Sequence, residues 1–411
     1  MTKRSIPLLA CLALGVVPWA VQAQPVGREF RVNTYSTDQQ SSPSISSDAN
    51  GTFVVAWRSY DFSDGQDGSQ SGVFGQRYDG RAGRRLGGEF QINTYTTGNQ
   101  QSPSVSSAPG GNFVVVWESD GQDGNNWGLF GQRYAGDGSA LGDEFQVNTY
   151  TTGIQRRSSL ASDADGNFVV VWSGAGNGDP YGTFGQRYDR DGIRLGREFR
   201  VNTYTTGSQV WPKVAMDPEG NFVVVWASED QDRSNYGVFG RRFDSAGVPL
   251  GNEFQINTHT RSQRFPSVAF DGRGLFVVVW EDDYSVAAQR YDADGSRLGG
   301  AFKVNTEFPD DSNYDPPIPN VAAARDGAFI VVWNHSLGLQ GHFQRSKILG
   351  RQYDHDGNPL GEPIKVNEMD VQTFATEARI AGTGSRFVVV WTGLPFGSFN
   401  YDVAGRRLAT P

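Results

Sequence analysis

Three groups of residues in this 411-residue chain are candidates for a binding or reactive role. Paired acids recur in polar, glycine-rich stretches: Asp64 with Asp67, Asp120 with Asp123, and Asp230 with Asp232. Carboxylates placed this way are hard oxygen donors suited to calcium or a cationic partner, although solvated acidic loops use the same residues. Calcium is therefore the cofactor the sequence suggests, with Asp64, Asp67, Asp120 and Asp123 as its candidate ligands. The second group is aromatic. Trp127, Tyr181 and Tyr236 each stand before a glycine, and Trp211 lies nearby in sequence; flat rings of this kind stack on sugars or pack a rim. The third group departs from the rest of the chain: Asp282, Asp283 and Tyr284, then Asp310, Asp311, Tyr314 and Asp315. These are candidate ligand-binding residues, and two carboxylates held across a pocket are also the machinery of glycosidic cleavage. His259, His335 and His342 match no metal-ligand spacing, and no Ser, His and Asp arrangement can be assembled, so no catalytic residue is assigned.

The elements that position these residues come from a repeat. Phe-(Val/Ile)-Val-(Val/Ala)-Trp occurs seven times, ending at Trp57, Trp117, Trp172, Trp226, Trp280, Trp333 and Trp391. Each unit reads as four short strands, which is the make-up of a propeller blade. The Trp strand is apolar at every position rather than alternating, so both its faces are covered. A small-residue strand such as Ser102 to Ser107 suits the crowded inner position a, the Trp strand is b, Phe-Gly-Gln-Arg-Tyr is c, and Glu-Phe-x-Val-Asn is d. The fold predicted is all-β: one seven-bladed β-propeller over residues 24–411, built of four-stranded antiparallel blades. The seventh unit stops after its strand c, Val403 to Leu408, and the missing d word stands at Glu29 to Asn33. The N-terminal strand is expected to close the ring, which removes exposed sheet edges.

In that topology the b to c and d to a loops share one face, while tight a to b and c to d turns occupy the other. The longer, variable loops all fall on the first face, where binding residues are usually carried. Features present in every blade read as structural instead. The strand c arginines (Arg77, Arg133, Arg187, Arg242, Arg290, Arg407) and the strand d glutamates (Glu29, Glu89, Glu144, Glu198, Glu253) are expected to pair between blades. Gln352 stands where the sixth unit would have its arginine. The Asn closing each strand d is read as a side-chain cap. Asp-x-Asp-Gly at Asp189, Asp292 and Asp354 lacks a later Glu at calcium-loop spacing and reads as a hairpin turn.

Residues 1–23 combine Lys3 and Arg4, an apolar run from Ile6 to Ala20, and Val21-Gln22-Ala23, the pattern of a secretory signal cleaved after Ala23. A secreted or periplasmic location is expected. Cys11, the single cysteine, leaves with the leader, so the mature chain is held by its core alone. Loss of Lys3 and Arg4 leaves 34 basic residues against 45 acidic ones, a net charge of −11. That sign opposes binding to a phosphate backbone, so nucleic acid is not an expected partner. No apolar stretch in the mature chain approaches the roughly 20 residues needed to cross a bilayer.

The words Val-Val-Val-Trp, Phe-Gly-Gln-Arg-Tyr-Asp and Glu-Phe-Gln-Val-Asn-Thr resemble the tandem repeats of large bacterial secreted, adhesin-like proteins, often found beside calcium-binding modules. The resemblance implies an exported protein with a binding role. The hairpin Ser162 to Gly166 is also similar to the Asp-box of sialidase-type propellers. There Trp follows Gly by three, whereas Trp172 follows Gly166 by six, so sialidase activity is not carried over. The leading expectation is a non-catalytic binding protein that engages a protein or glycan through its long-loop face. The alternative is a polysaccharide-acting glycosidase or lyase using acids near blades five and six.

Overall fold

Alternate residues of each five-residue Phe-to-Trp word face opposite neighbours, which is why none of the five is polar. In blade 2, Phe113, Val115 and Trp117 pack against Val54 and Ala56 of blade 1, while Val114 and Val116 pack against Phe168, Val170 and Trp172 of blade 3. A computed structural model describes residues 22–61, 65–80, 82–259, 261–305, 315–340, 343–368, 375–382, 386–394 and 400–409. Within them seven four-stranded antiparallel sheets repeat this packing, and each shares a buried cluster with the next all the way round. The seven-bladed propeller is therefore a closed ring, and the described residues contain no helix.

Blade 7 consists of Ala375–Gly382, Arg386–Gly393 and Asp402–Ala409, with Gln24–Arg31 as its outer strand. Gln24 faces Ala409, Arg31 faces Ala404, and the Val32 N–H donates to the Val403 carbonyl at 2.8 Å. The N-terminal strand thus closes the ring as expected.

The repeated arginines and glutamates do not pair with each other, contrary to expectation. Arg77 donates to the carbonyls of Gly136 and Asp137 in the c to d turn of the next blade, and Arg187 reaches Ser245 and Ala246 in the same way. The carbonyls of a tight turn point outward without ladder partners, and a planar guanidinium satisfies two at once. The glutamates serve the opposite face: Glu144 accepts the Thr94 N–H at 2.8 Å and Glu198 the Thr149 N–H at 2.7 Å. This division also explains Gln352. Blade 7 takes its outer strand from the start of the chain and has no c to d turn for an arginine to reach. Gln352 instead accepts the N–H of Ala23, which is buried beside Gln24.

The Asn closing strand d is a clamp. Asn93 Oδ1 accepts the Val73 N–H at 2.7 Å, while its Nδ2 donates to the Tyr95 carbonyl at 3.0 Å and to Asp67 at 2.9 Å. The Asp-x-Asp-Gly segments are turns: Asp189 Oδ1 accepts the N–H groups of Asp191 at 2.9 Å and Ile193 at 2.8 Å.

Candidate active site

The inner strands carry a device that the repeat disguises. In blades 1 to 5 and 7 the register between strands a and b slips at the same place, a β-bulge. The residue at the bulge has positive φ: Ser42, Ser102, Arg157, Trp211, Phe265 and Glu377, between 51° and 59°. Proline follows in four of these, at Pro43, Pro103, Pro212 and Pro266, where the slipped ladder needs no donor. The bulge swings its side chain off the blade and toward the axis. With Ile318 of blade 6, these residues form a ring around a cavity of about 280 Å³ at the centre of the propeller. Because the bulges lie near the start of strand a, the cavity opens on the face of the long loops.

The contents of the ring are uneven. Trp211 meets Phe265 at 4.7 Å and Tyr236 at 5.5 Å between ring centroids. The Arg157 guanidinium lies over Trp211 at 4.9 Å, and Arg156 lies over Trp127 at 4.2 Å. Glu118 joins the two arginines: it accepts the Arg157 N–H at 2.7 Å and the Gln101 amide at 3.1 Å, with Arg156 at 3.9 Å. Burial pushes the Glu118 carboxyl up, against these hydrogen bonds. On the other side of blade 1, Glu377 of blade 7 accepts the Ser42 N–H at 2.8 Å and the Thr392 hydroxyl at 3.0 Å. Arg58 stands beside both carboxylates and over Tyr60 at 4.3 Å, and its burial draws it below the usual guanidinium range. Two further cations, Lys213 and Arg379, line the same cavity.

Of the residues expected from sequence, Trp211, Tyr236 and Trp127 are brought together along this arc. Tyr181 stands away from it, 62% exposed, and Tyr284 is 42% exposed at a turn. Asp282 accepts the Gln263 amide at 3.1 Å and Asp283 pairs with Arg261; neither lines the cavity. Asp310, Asp311 and Tyr314 lie outside the described residues, as does Asp64. Asp67 and Asp123 are occupied by the blade scaffold: each holds a strand d Asn, Asn93 at 2.9 Å and Asn148 at 3.4 Å, and a backbone N–H of its own loop. The Asp120 N–H donates to the Asn99 carbonyl at 2.9 Å. Among the described residues no three His, Cys, Asp or Glu side chains gather as a metal site.

Arg157, Lys213, Phe265, Glu377 and Arg379 were not anticipated, because inside a strand they read as ordinary β residues. The available signal was a proline within an inner strand, preceded by a residue that differs in almost every blade.

No protein-family profile and no curated relative matches the chain. Solved structures do. An ulvan lyase bound to -[GlcA(1-4)Rha3S]- superimposes with a TM-score of 0.58 at 10% identity, over 92% of this chain and 95% of that one. Polysaccharide lyase Uly1 gives 0.57 at 9% identity, over 96% and 95%. A protein of unknown function from Dyadobacter fermentans gives 0.56 at 12%, over 96% and 100%. At such identities the likeness establishes the propeller fold. The expectation of a non-catalytic binding protein is corrected by these neighbours: two of the three are polysaccharide-cleaving enzymes, which favours the alternative reading. None of the three is described as an adhesin.

Proposed function

We propose that this protein is an exported enzyme that cleaves a polysaccharide laid across the mouth of its axial cavity. The observation that carries the proposal is the continuous arc from Trp127 through Arg156, Glu118 and Arg157 to Trp211, Phe265 and Tyr236. Aromatic faces take the apolar side of a sugar ring, while guanidinium and carboxylate groups bind its hydroxyl and acidic substituents. The alternation along the arc matches a ligand made of successive rings. A shape open to one face admits an internal segment of a long chain. Export is supported by the leader-like residues 1–23 and by a mature chain without cysteine.

The test is direct. Purified mature protein is incubated with a panel of neutral and acidic polysaccharides, and new chain ends and loss of viscosity are followed. Shortening of at least one polymer, reduced severalfold by Trp211→Ala, is the expected result. If no polymer is shortened, the proposal fails.

A further inference from the structure

Two residues after each bulge, the inner strands present a second position that faces the residue just before the blade tryptophan. Five blades place a small polar residue there: Ser44, Ser104, Ser159, Ser267 and Asn320. Four of these accept a backbone N–H from the next inner strand: Ser44 from Val105 at 3.1 Å, Ser159 from Val214 at 3.3 Å, Ser267 from Val321 at 3.4 Å, and Asn320 from Ile380 at 3.0 Å. Blades 4 and 7 instead carry Lys213 and Arg379. Cationic side chains have no acceptor to offer, so both blades give up that link around the axis. Among the described residues Lys213 makes no hydrogen bond or ion pair, and Arg379 donates only to the Ala378 carbonyl at 3.0 Å. Two half-buried cations thus line one cavity with donors to spare. A local rule broken without structural compensation is expected at functional positions.

We infer that the reaction is β-elimination on a uronic-acid polysaccharide, with the Lys213 amine as the base and the Arg379 guanidinium binding the uronate carboxylate. The inference rests on the polysaccharide-cleaving reading and specifies its chemistry. Pairing with Arg379 neutralises the carboxylate, which makes the C5 hydrogen of the uronate acidic enough to remove. Lys213 takes that proton; the C5–H electrons form the C4=C5 double bond; the C4–O4 bond breaks, and its electron pair leaves on O4. O4 takes a proton from water in the open mouth, and the Lys213 ammonium returns its proton to solvent. No oxidant, reductant or further co-reactant enters.

Hydrolysis would need free carboxylates, whereas Glu118 and Glu377, the acids lining the cavity, are each bound by scaffold N–H or O–H groups. The electrostatics suit a lysine base. Desolvation in the cavity and the charge of Arg379 draw Lys213 down to about 7, so free amine is available at neutral pH. The other charged groups lining the cavity are Arg157 of blade 3, Glu118 of blade 2 and Glu377 of blade 7.

The experiment uses the mature protein with polygalacturonate, alginate and a glucuronate polymer, each also in carboxyl-reduced form, and reads both unsaturated ends by ultraviolet absorbance and total reducing ends. Expected are unsaturated ends from at least one polyuronate and none from its reduced counterpart. Lys213→Arg, which keeps size and charge, should lower kcat by about 10²- to 10⁴-fold with KM little changed. Lys213→Met should match it, and Arg379→Met should raise KM and move the alkaline-rising limb of the rate profile to higher pH. Reducing ends without unsaturation would leave polysaccharide cleavage standing and overturn the elimination. Unsaturated product from Lys213→Arg at the wild-type rate would overturn the assigned base. Cleavage of no polymer at all overturns both readings.

Discussion

The turn-side perimeter and the bulge ring are built from the same seven units and behave in opposite ways. On the perimeter the residue is the same from blade to blade: an arginine reaches the next turn, and the exception, Gln352, falls where that turn does not exist. At the bulge the backbone repeats in six blades while the side chain changes, from serine to arginine, tryptophan, phenylalanine and glutamate, and Ile318 takes the matching place in blade 6. Uniform positions hold blades together, and a varied position on a uniform backbone presents seven independent choices to one cavity. Departure from symmetry therefore has to be judged against what the position does: a changed perimeter residue reports topology, a changed bulge residue alters the lining of the cavity.

Substitutions at the two kinds of position should separate effects on stability from effects on turnover. The largest effect on stability should come from deleting residues 24–35. Five paired positions with the last strand are lost, at about 1 kcal/mol for each ladder bond, or on the order of 5 kcal/mol. Thermal unfolding followed by circular dichroism checks it; an unchanged midpoint would mean that the ring is not held by this strand. Arg77→Met removes two charge-assisted bonds to the next blade and should cost about 1–2 kcal/mol in urea unfolding while leaving turnover per folded molecule intact. Trp211→Ala should do the reverse: binding of polysaccharide falls about tenfold, as expected for losing roughly 1.4 kcal/mol of stacking, with little change in midpoint.

Lys213→Met makes the sharpest test of the contrast, because it should stabilise the fold it disarms. The folded-state value near 7 lies below the ordinary lysine value. The fold therefore carries the full cost of the bound proton below about pH 7, a shrinking part of it as pH rises, and none above about 10.4. The variant should gain about 1–2 kcal/mol at pH 6, discounted for water in the cavity, and nothing at pH 10.5. The smallest expected effect is that of Asp67→Ala, which leaves Asn93 without one acceptor. It should cost about 1 kcal/mol, equally in calcium and in chelator, if Asp67 belongs to the scaffold.

Most of the architecture was legible in the sequence. Phe-Val-Val-Val-Trp, apolar throughout, admits only a strand covered on both faces, and the missing strand d at one end was matched by a spare at the other. Charge was less legible. Arginine and glutamate recurring in step suggest each other, yet both found backbone partners, because turn carbonyls and the threonine N–H lie nearer in space than in sequence. Of the site, Trp127, Trp211 and Tyr236 were visible as aromatics beside loops. Lys213, Arg379 and Glu377 were hidden, since their access to the axis depends on a left-handed backbone residue that no side-chain pattern announces.

The borrowed strand of blade 7 also sets an order of events. Asn33 and Val403 are 370 positions apart, and the Asn33 Oδ1 accepts the Val403 N–H. The N-terminal strand must wait for the seventh unit before either finds its partner, so ring closure depends on a contact of very long sequence separation, a slow kind to form. Until then one hydrogen-bonding margin of the C-terminal sheet stays open to solvent and to other chains. Crowded refolding should accordingly favour exchange of this strand between molecules over misfolding within a blade.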